Sequence, residues 1–363
     1  MAFSVGRSIL PVESFGIFSC TCGAYLMDET PLHLKYFKLR KQPFAPTADP
    51  AYFYATRDHK SCLFRLWTGI DERYGIAVVL GNYGTGKTTL LRKLMSGMAA
   101  DPGRYNTAVL ASPIPSWTSF SLLEAITKQF GLTPLERTFG AHMETLNQYL
   151  LAKRGSVSTL IIDDAQNLNK RGQLELLRLV QNLETRQHKL LNLVFFAQLE
   201  WMEVLRAAPN FHQRINLMYT LSPISVEDIH ELIRYRLEQA GATGTFAPSF
   251  EDSSVDMIHA FSEGNPRVIV TLCRNSLILA AQLKTLRVTQ DIVYHTIEKT
   301  TVSSEETMGR VRAKMLPETP AEPQAMIVGG NNAVAAAFSP GTGRAYASRA
   351  NRLLLRAART KQR

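Results

Sequence analysis

A parallel α/β sheet covered by helices on both faces, followed by a small all-helical domain, is the fold this sequence predicts. Three observations predict it. Short apolar runs alternate with amphipathic stretches between residues 76 and 221, the pattern of strand–helix–strand units whose sheet is buried on both sides. A glycine-rich turn joins the first of these strands to a helix. From residue 225 the strand signal stops and helical periodicity continues alone.

Residues 1–27 show no clear period and read as a flexible extension. Residues 34–54 mix aromatics with Pro43, Pro46 and Pro50, which suggests an ordered but irregular segment lying on a domain surface. Leu63, Leu66, Trp67 and Ile70 give helical spacing over 57–73. Strands are expected at Ile76–Leu80, Thr107–Ala111, Thr159–Asp163, Leu191–Phe196 and Ile215–Leu221. Helices are expected at Thr88–Met98, Ser119–Phe130, Ala141–Lys153, Leu174–Leu183 and Leu199–Arg206. Ser225, with Asp228 three residues later, starts a helix by a near-capping-box signal. Further helices fall at 252–262, 266–283 and 289–300. The resulting division is an α/β core over 28–221, a helical lid domain over 222–301 and a basic, disordered tail over 302–363.

The net charge of +10 favours an anionic partner, whether nucleotide, nucleic acid or membrane surface. Residues 303–363 hold ten basic and four acidic side chains, so most of that excess sits in the tail. Cys20 and Cys22 have no second pair or histidine cluster, which argues against a zinc site. Cys62 and Cys273 fall in apolar helical patterns and read as core, a usage that suits a reducing compartment. No apolar run approaches the ~20 residues of a membrane helix, and the N-terminus is a poor signal peptide. The expected location is the cytoplasm.

Gly81-Asn82-Tyr83-Gly84-Thr85-Gly86-Lys87-Thr88 matches G-x-x-x-x-G-K-[ST] in full, with a strand before it and a helix after it. Glycines let such a turn wrap so that its N–H groups face phosphates, and the following helix start favours negative charge. Residues Gly81 to Thr89 are therefore expected to bind ATP, with Lys87 neutralising the β- and γ-phosphates. Thr88 would place its hydroxyl on Mg²⁺. The apolar run Thr159–Ile162 ends in Asp163-Asp164, which puts two carboxylates at the edge of a parallel sheet where ligands bind. Asp163 would hold Mg²⁺ and Asp164 would orient the attacking water.

Gln198 follows the strand Leu191–Phe196. Alone it reads as a surface residue, but at that position it could also hold the water. Arg206 and Arg214 lie where an arginine can reach the γ-phosphate of a neighbouring subunit, and Arg214 is preferred. Gly264-Asn265-Pro266-Arg267 opens a helix, and Arg267 could fold back onto the γ-phosphate of its own subunit.

These motifs, in this order, resemble the AAA+ superfamily, and within it the ATPases of the ExeA/GspA type linked to general secretion. The resemblance covers about residues 34–300. It rests on Phe37-x-Leu39-x3-Pro43-Phe44-x2-Thr47-x-Asp49-Pro50-x2-Phe53, on Ile161-Ile162-Asp163-Asp164-Ala165-Gln166-Asn167-Leu168, and on Glu175-Leu176-Leu177-Arg178-Leu179-x2-Asn182-Leu183-Glu184-Thr185. It implies an ATPase using ATP and Mg²⁺, ring or filament assembly, and a role for Gln198 beside the acids. That family usually carries Asp-Glu where this chain has Asp163-Asp164. The shorter side chain implies slower turnover, because ~1 Å of misplacement can cost ~10²-fold. The family often continues into a membrane helix and a peptidoglycan-binding region, whereas this sequence continues into its basic tail.

Three functions follow as expectations. The first is an ATP-driven assembly or remodelling ATPase that serves a secretion-system component. The second is a DNA-binding regulator that helps a transposase, with the tail on double-stranded DNA. The third is an ATP-gated switch that hydrolyses little.

Overall fold

Five short runs of aliphatic and aromatic residues pair edge to edge in a parallel sheet. The computed structural model describes residues 31–45, 50–300 and 305–315 of the chain. In chain order its elements begin with α1 (Leu32–Tyr36), α2 (Arg57–Asp71), β1 (Ile76–Leu80), α3 (Lys87–Ala99), β2 (Tyr105–Leu110), α4 (Ser119–Gln129) and α5 (Phe139–Ala152). They continue with β3 (Val157–Ile162), α6 (Arg171–Gln181), β4 (Asn192–Ala197), α7 (Trp201–Arg206), α8 (Pro209–His212) and β5 (Ile215–Thr220). After these come α9 (Val226–Gln239), β6 (Ser249–Phe250), α10 (Asp252–Ser262), α11 (Pro266–Gln282), β7 (Arg287–Val288), α12 (Gln290–Thr300) and α13 (Glu305–Met315).

The sheet order is β2-β3-β4-β1-β5. Successive side chains of a strand point to opposite faces, and here both faces are dry. Ile76, Val78 and Leu80 of β1 join Leu160, Ile162, Leu193 and Phe195 in one core, together with Leu122, Leu146, Leu177 and Trp201 from the helices on that side. Ala77 and Val79 join Ile161, Val194 and Phe196 in the other, under Leu66, Leu90 and Leu94 of α2 and α3. That double burial explains why the central strands read as unbroken apolar runs.

The helical part, α9 to α12, has its own core around Ile229, Val255, Ile258, Leu272, Cys273 and Val293. Three expectations need correction. The part is not wholly helical, because β6 and β7 form a two-residue parallel pair. The segment that includes residues 34–44 is not laid on a surface. Leu34, Phe37, Leu39 and Phe44 are buried and complete the helical core rather than the sheet's cores. Their aromatic and aliphatic bulk is what a helix pair needs to close its open side. Residues 305–315, expected to be tail, form α13, because Val311 and Met308 supply an apolar stripe that seats against the same core. The Cys20–Cys22 pair and the remainder of the tail lie outside the described residues.

Helix starts follow the caps that the sequence carries. Thr56, Thr118 and Ser225 each accept a backbone N–H from the first turn of α2, α4 and α9. Asn265 caps α11 with Pro266 at its first position. The turn before α11 is pinned, because a Cβ on Gly264 would meet the Ile224 carbonyl oxygen at 2.5 Å. No helix among the described residues is long and apolar enough to cross a membrane.

Candidate functional site

Parallel strands leave their carboxyl ends along one edge, and the glycine-rich turn and the paired acids gather there. β1 delivers the glycine-rich turn, β3 delivers the two acids, and the sheet order puts the tip of β4 between them. Gly84 and Gly86 adopt φ of 82° and 92°, which side chains disfavour. A Cβ at Gly84 would meet the Asn265 side chain at 2.6 Å, and one at Gly81 would meet Thr85 Oγ1 at 2.6 Å. At Gly81 and Gly84 the turn therefore has room for backbone alone. α3 starts at its end without a side-chain cap, so the orphan N–H groups of that first turn face the cradle.

Lys87 is buried, and its Nζ donates to the carbonyls of Gly81 at 2.8 Å and Asn82 at 2.9 Å. Burial holds its pKa below the ordinary lysine value, with Asp163, Asp164 and Glu200 pulling the other way. Thr88 Oγ1 donates to Asp163 Oδ2 at 3.0 Å. Asp163 is buried too, and burial raises its pKa despite the bond from Thr88. Both charged forms are thus poorly solvated, and each gains from an arriving opposite charge. These groups fit a phosphate chain with a divalent cation: a cation and free N–H donors for the anion, a hydroxyl and a carboxylate for the metal.

Asp164 lies in the left-handed region at φ 50°, as does Ser112 at the end of β2. Ser112 Oγ donates to Asp164 Oδ2 at 2.8 Å, and Gln166 Nε2 donates to Oδ1 at 3.1 Å. Gln198 follows β4, and its backbone N–H donates to Gln166 Oε1 at 3.2 Å. Gln198 is half-buried, just past the strand that runs between the acids and the cradle.

The arginines divide. Arg267 lies beside the cradle. Its Nη1 donates to the Tyr83 hydroxyl at 2.5 Å, and its guanidinium stacks 5.1 Å from that ring. Asn265 Nδ2 adds a bond of 2.8 Å to the Tyr83 carbonyl. Arg214 is brought nowhere near the cradle of its own chain. Ile215 pairs with Ile76, at the opposite end of β1 from Gly81, so Arg214 lies at the far edge of the sheet. Its Nη1 donates to Asn182 Oδ1 at 2.5 Å and Gln181 Oε1 at 3.3 Å. Arg206 is exposed at the end of α7.

Sequence reading missed several contributors. His59 is buried beneath the cradle, with Nε2 3.4 Å from the Thr85 carbonyl and Nδ1 2.8 Å from Thr56 Oγ1. A carbonyl only accepts, so Nε2 carries the proton and Thr56 donates to Nδ1. Desolvation holds the His59 pKa below the usual histidine value. Asp58, its neighbour, accepts from the Tyr219 hydroxyl at 2.7 Å and the Ser222 backbone at 2.9 Å. The helix start Thr56–His59 thereby touches both the cradle and the connection to the helical part. Its only advance signal is a Thr-x-x-His spacing at a helix start. Ser112 carries no local signal at all, since its role depends on β2 lying beside β3.

Residues 70–205 match the AAA domain family. The General secretion pathway protein A of Aeromonas hydrophila is 34% identical over 255 residues, 69% of this chain and 45% of that protein. The chain thus spans less than half the length of that relative. Among solved structures, the Aeropyrum pernix ORC2 protein in its ADPNP–ADP complexes is similar with a TM-score of 0.55 at 16% identity, over 74% of each chain. CDC6P from Pyrobaculum aerophilum is similar with a TM-score of 0.53 at 19% identity, over 73% of each chain. At those identities the likeness is one of fold.

Proposed function

Because this chain carries an AAA domain of the ExeA/GspA-like kind, we propose that it binds ATP with Mg²⁺, hydrolyses it, and uses the cycle to drive assembly or remodelling. The observation that supports this most is the pairing of Thr88 with Asp163 across 3.0 Å, beside a desolvated Lys87 in a glycine-rich turn. In this reading residues Gly81 to Thr89 hold the triphosphate, and Lys87 leaves its carbonyl partners for the β- and γ-phosphates. Thr88 and Asp163 would hold Mg²⁺, which when bound neutralises charge on the phosphate oxygens. Asp164 orients and polarises the attacking water, with Gln198 beside it. Arg267 swings from Tyr83 to the γ-phosphate of its own subunit, so the helical part acts as a lid, and the division into core 28–221 and lid 222–301 belongs to this proposal. Arg214, which lies away from its own cradle, would act on the γ-phosphate of a neighbouring copy.

A second reading, an ATP-gated switch with little hydrolysis, draws on the state of Asp164. Both its carboxylate oxygens accept hydrogen bonds from Ser112 and Gln166, and its side chain is short. Calorimetric titration with ATP–Mg²⁺ and a phosphate-release assay test both readings. We expect binding and measurable release by the wild type, and neither by Lys87→Ala. Binding without release by the wild type selects the switch. Absence of binding overturns the proposal.

A further inference from the structure

We propose that Gln166 is a positioning residue, a single side-chain amide that sets the Asp164 carboxylate and the tip of β4 in register with each other. The inference rests on the reading of Asp164 as the residue that orients water.

The amide can point only one way. The Gln198 backbone offers an N–H and nothing else, so the Gln166 oxygen faces it at 3.2 Å. The NH₂ is then left for Asp164 Oδ1 at 3.1 Å. Reversed, an amide NH₂ would meet an N–H donor and a carbonyl would meet a carboxylate, both repulsive. The turn that carries Gln166 is fixed from below. Ala165 and Leu168 are fully buried, and the Leu168 carbonyl accepts the Trp201 indole N–H at 3.0 Å. Asp164 itself needs holding. A non-glycine residue at φ 50° is strained, and such strain persists only where the surroundings impose it. Three bonds impose it here: from Ser112, from Gln166, and from its own N–H to Asp163 Oδ1 at 3.0 Å. Of these, only Gln166 reaches across to β4, the strand between the acids and the cradle. Neutrality matters as well. Asp163, Asp164 and Glu200 already face Lys87, and a further carboxylate at 166 would stand directly against Asp164.

The test uses the full chain and four variants: Gln166→Glu, Gln166→Met, Asp164→Asn, and Asp164→Asn with Gln166→Glu. Glutamate keeps the acceptor for Gln198 but turns an oxygen toward Asp164, whereas methionine removes both partners at similar size. At pH 8, Gln166→Glu is expected to melt about 3–6 °C below wild type. Adding Asp164→Asn restores a carboxylate–amide pair of reversed polarity and should recover most of that loss. In steady-state phosphate release, both single Gln166 variants lose at least ~10-fold in kcat with KM for ATP within ~2-fold. The double variant regains stability but not kcat, since its carboxylate sits on the wrong residue. Wild-type kcat in Gln166→Glu, or no recovery of melting in the double variant, overturns the inference. If Asp164→Asn alone kept full turnover, the reading of Asp164 would fall instead, while recovery of melting in the double variant would still support the link through Gln166. Should the wild type release no phosphate, the same recovery supports that link and its absence overturns it.

Discussion

The two ends of the five-stranded parallel sheet treat their polar groups differently. At the amino-terminal edge the groups satisfy one another. The buried Asn192 accepts from the Gly75 N–H at 3.1 Å and donates to the Ile70 carbonyl at 3.0 Å. Arg214 is received by the neutral amides of Asn182 and Gln181. At the carboxyl-terminal edge the groups are hydrogen-bonded as well, but they are charged or strained. Lys87 and Asp163 are both desolvated against their charged forms, and Ser112 and Asp164 sit at left-handed φ. Satisfied polar groups stabilise, whereas strained and desolvated ones hold free energy that a ligand releases. The difference is one of degree, since Arg73 at the amino-terminal edge is also desolvated and at φ 55°, yet it donates to the Arg154 and Ser156 carbonyls.

The sharpest way to test the contrast is Lys87→Ala. We expect ATP–Mg²⁺ affinity to fall at least ~10³-fold, while the melting temperature stays at or above wild type, because a desolvated cation is removed. A large drop in stability would place Lys87 with the scaffold. Arg214→Ala breaks the comparison in the other direction, since our reading gives one scaffold-edge residue a chemical task. Turnover of the assembled protein should fall by about 10³-fold, with recovery when these subunits are mixed with Asp164→Asn subunits. Loss of stability with no loss of turnover would return Arg214 to the scaffold.

Asp164→Asn follows, with an expected loss of ~10²–10³-fold in phosphate release and unchanged ATP binding by calorimetry. Asn192→Ala should do the reverse. It leaves the buried Gly75 N–H without a partner, while the Ile70 carbonyl keeps the Arg73 N–H, and costs ~1–3 kcal/mol in denaturant unfolding, while the folded fraction binds ATP as before. The smallest effect is a pH dependence at His59. Its folded pKa is lowered, so the unfolded chain binds that proton more tightly. Its contribution to stability is then complete above the unfolded value of about 6.5 and declines as pH falls below it. His59→Gln should flatten that decline between pH 7.5 and pH 5 in thermal melts; an unchanged slope would mean that another group, such as the similarly desolvated His33, carries it.

Much of the site was legible because it is local. The phosphate turn, its lysine and the acidic pair each occupy a few consecutive residues next to an apolar strand. Gln198 was legible for the same reason, as the polar residue just past a strand end. The contributions that were missed are pairs distant in sequence. Tyr83 is expected as a member of the phosphate turn, but its pairing with Arg267 and Asn265 shows only in three dimensions. Gln166 stands only as one residue of the run 161–168 until β4 is placed beside β3. Phe37 and Phe44 read as surface aromatics until the helical core, built almost wholly from residues beyond 220, is seen to need them.

By itself the sequence determined everything set by neighbouring residues. Strand periodicity, helix caps and glycines free to take positive φ act over three or four positions, and they hold wherever the segment goes. Tertiary structure alone decided which polar ends meet. The insertion of β4 between β1 and β3 brings the cradle, the acids and a bridging amide together at one sheet edge. That choice is made by the burial of whole strands against two apolar layers, an energy spread over dozens of side chains and visible in none of them singly.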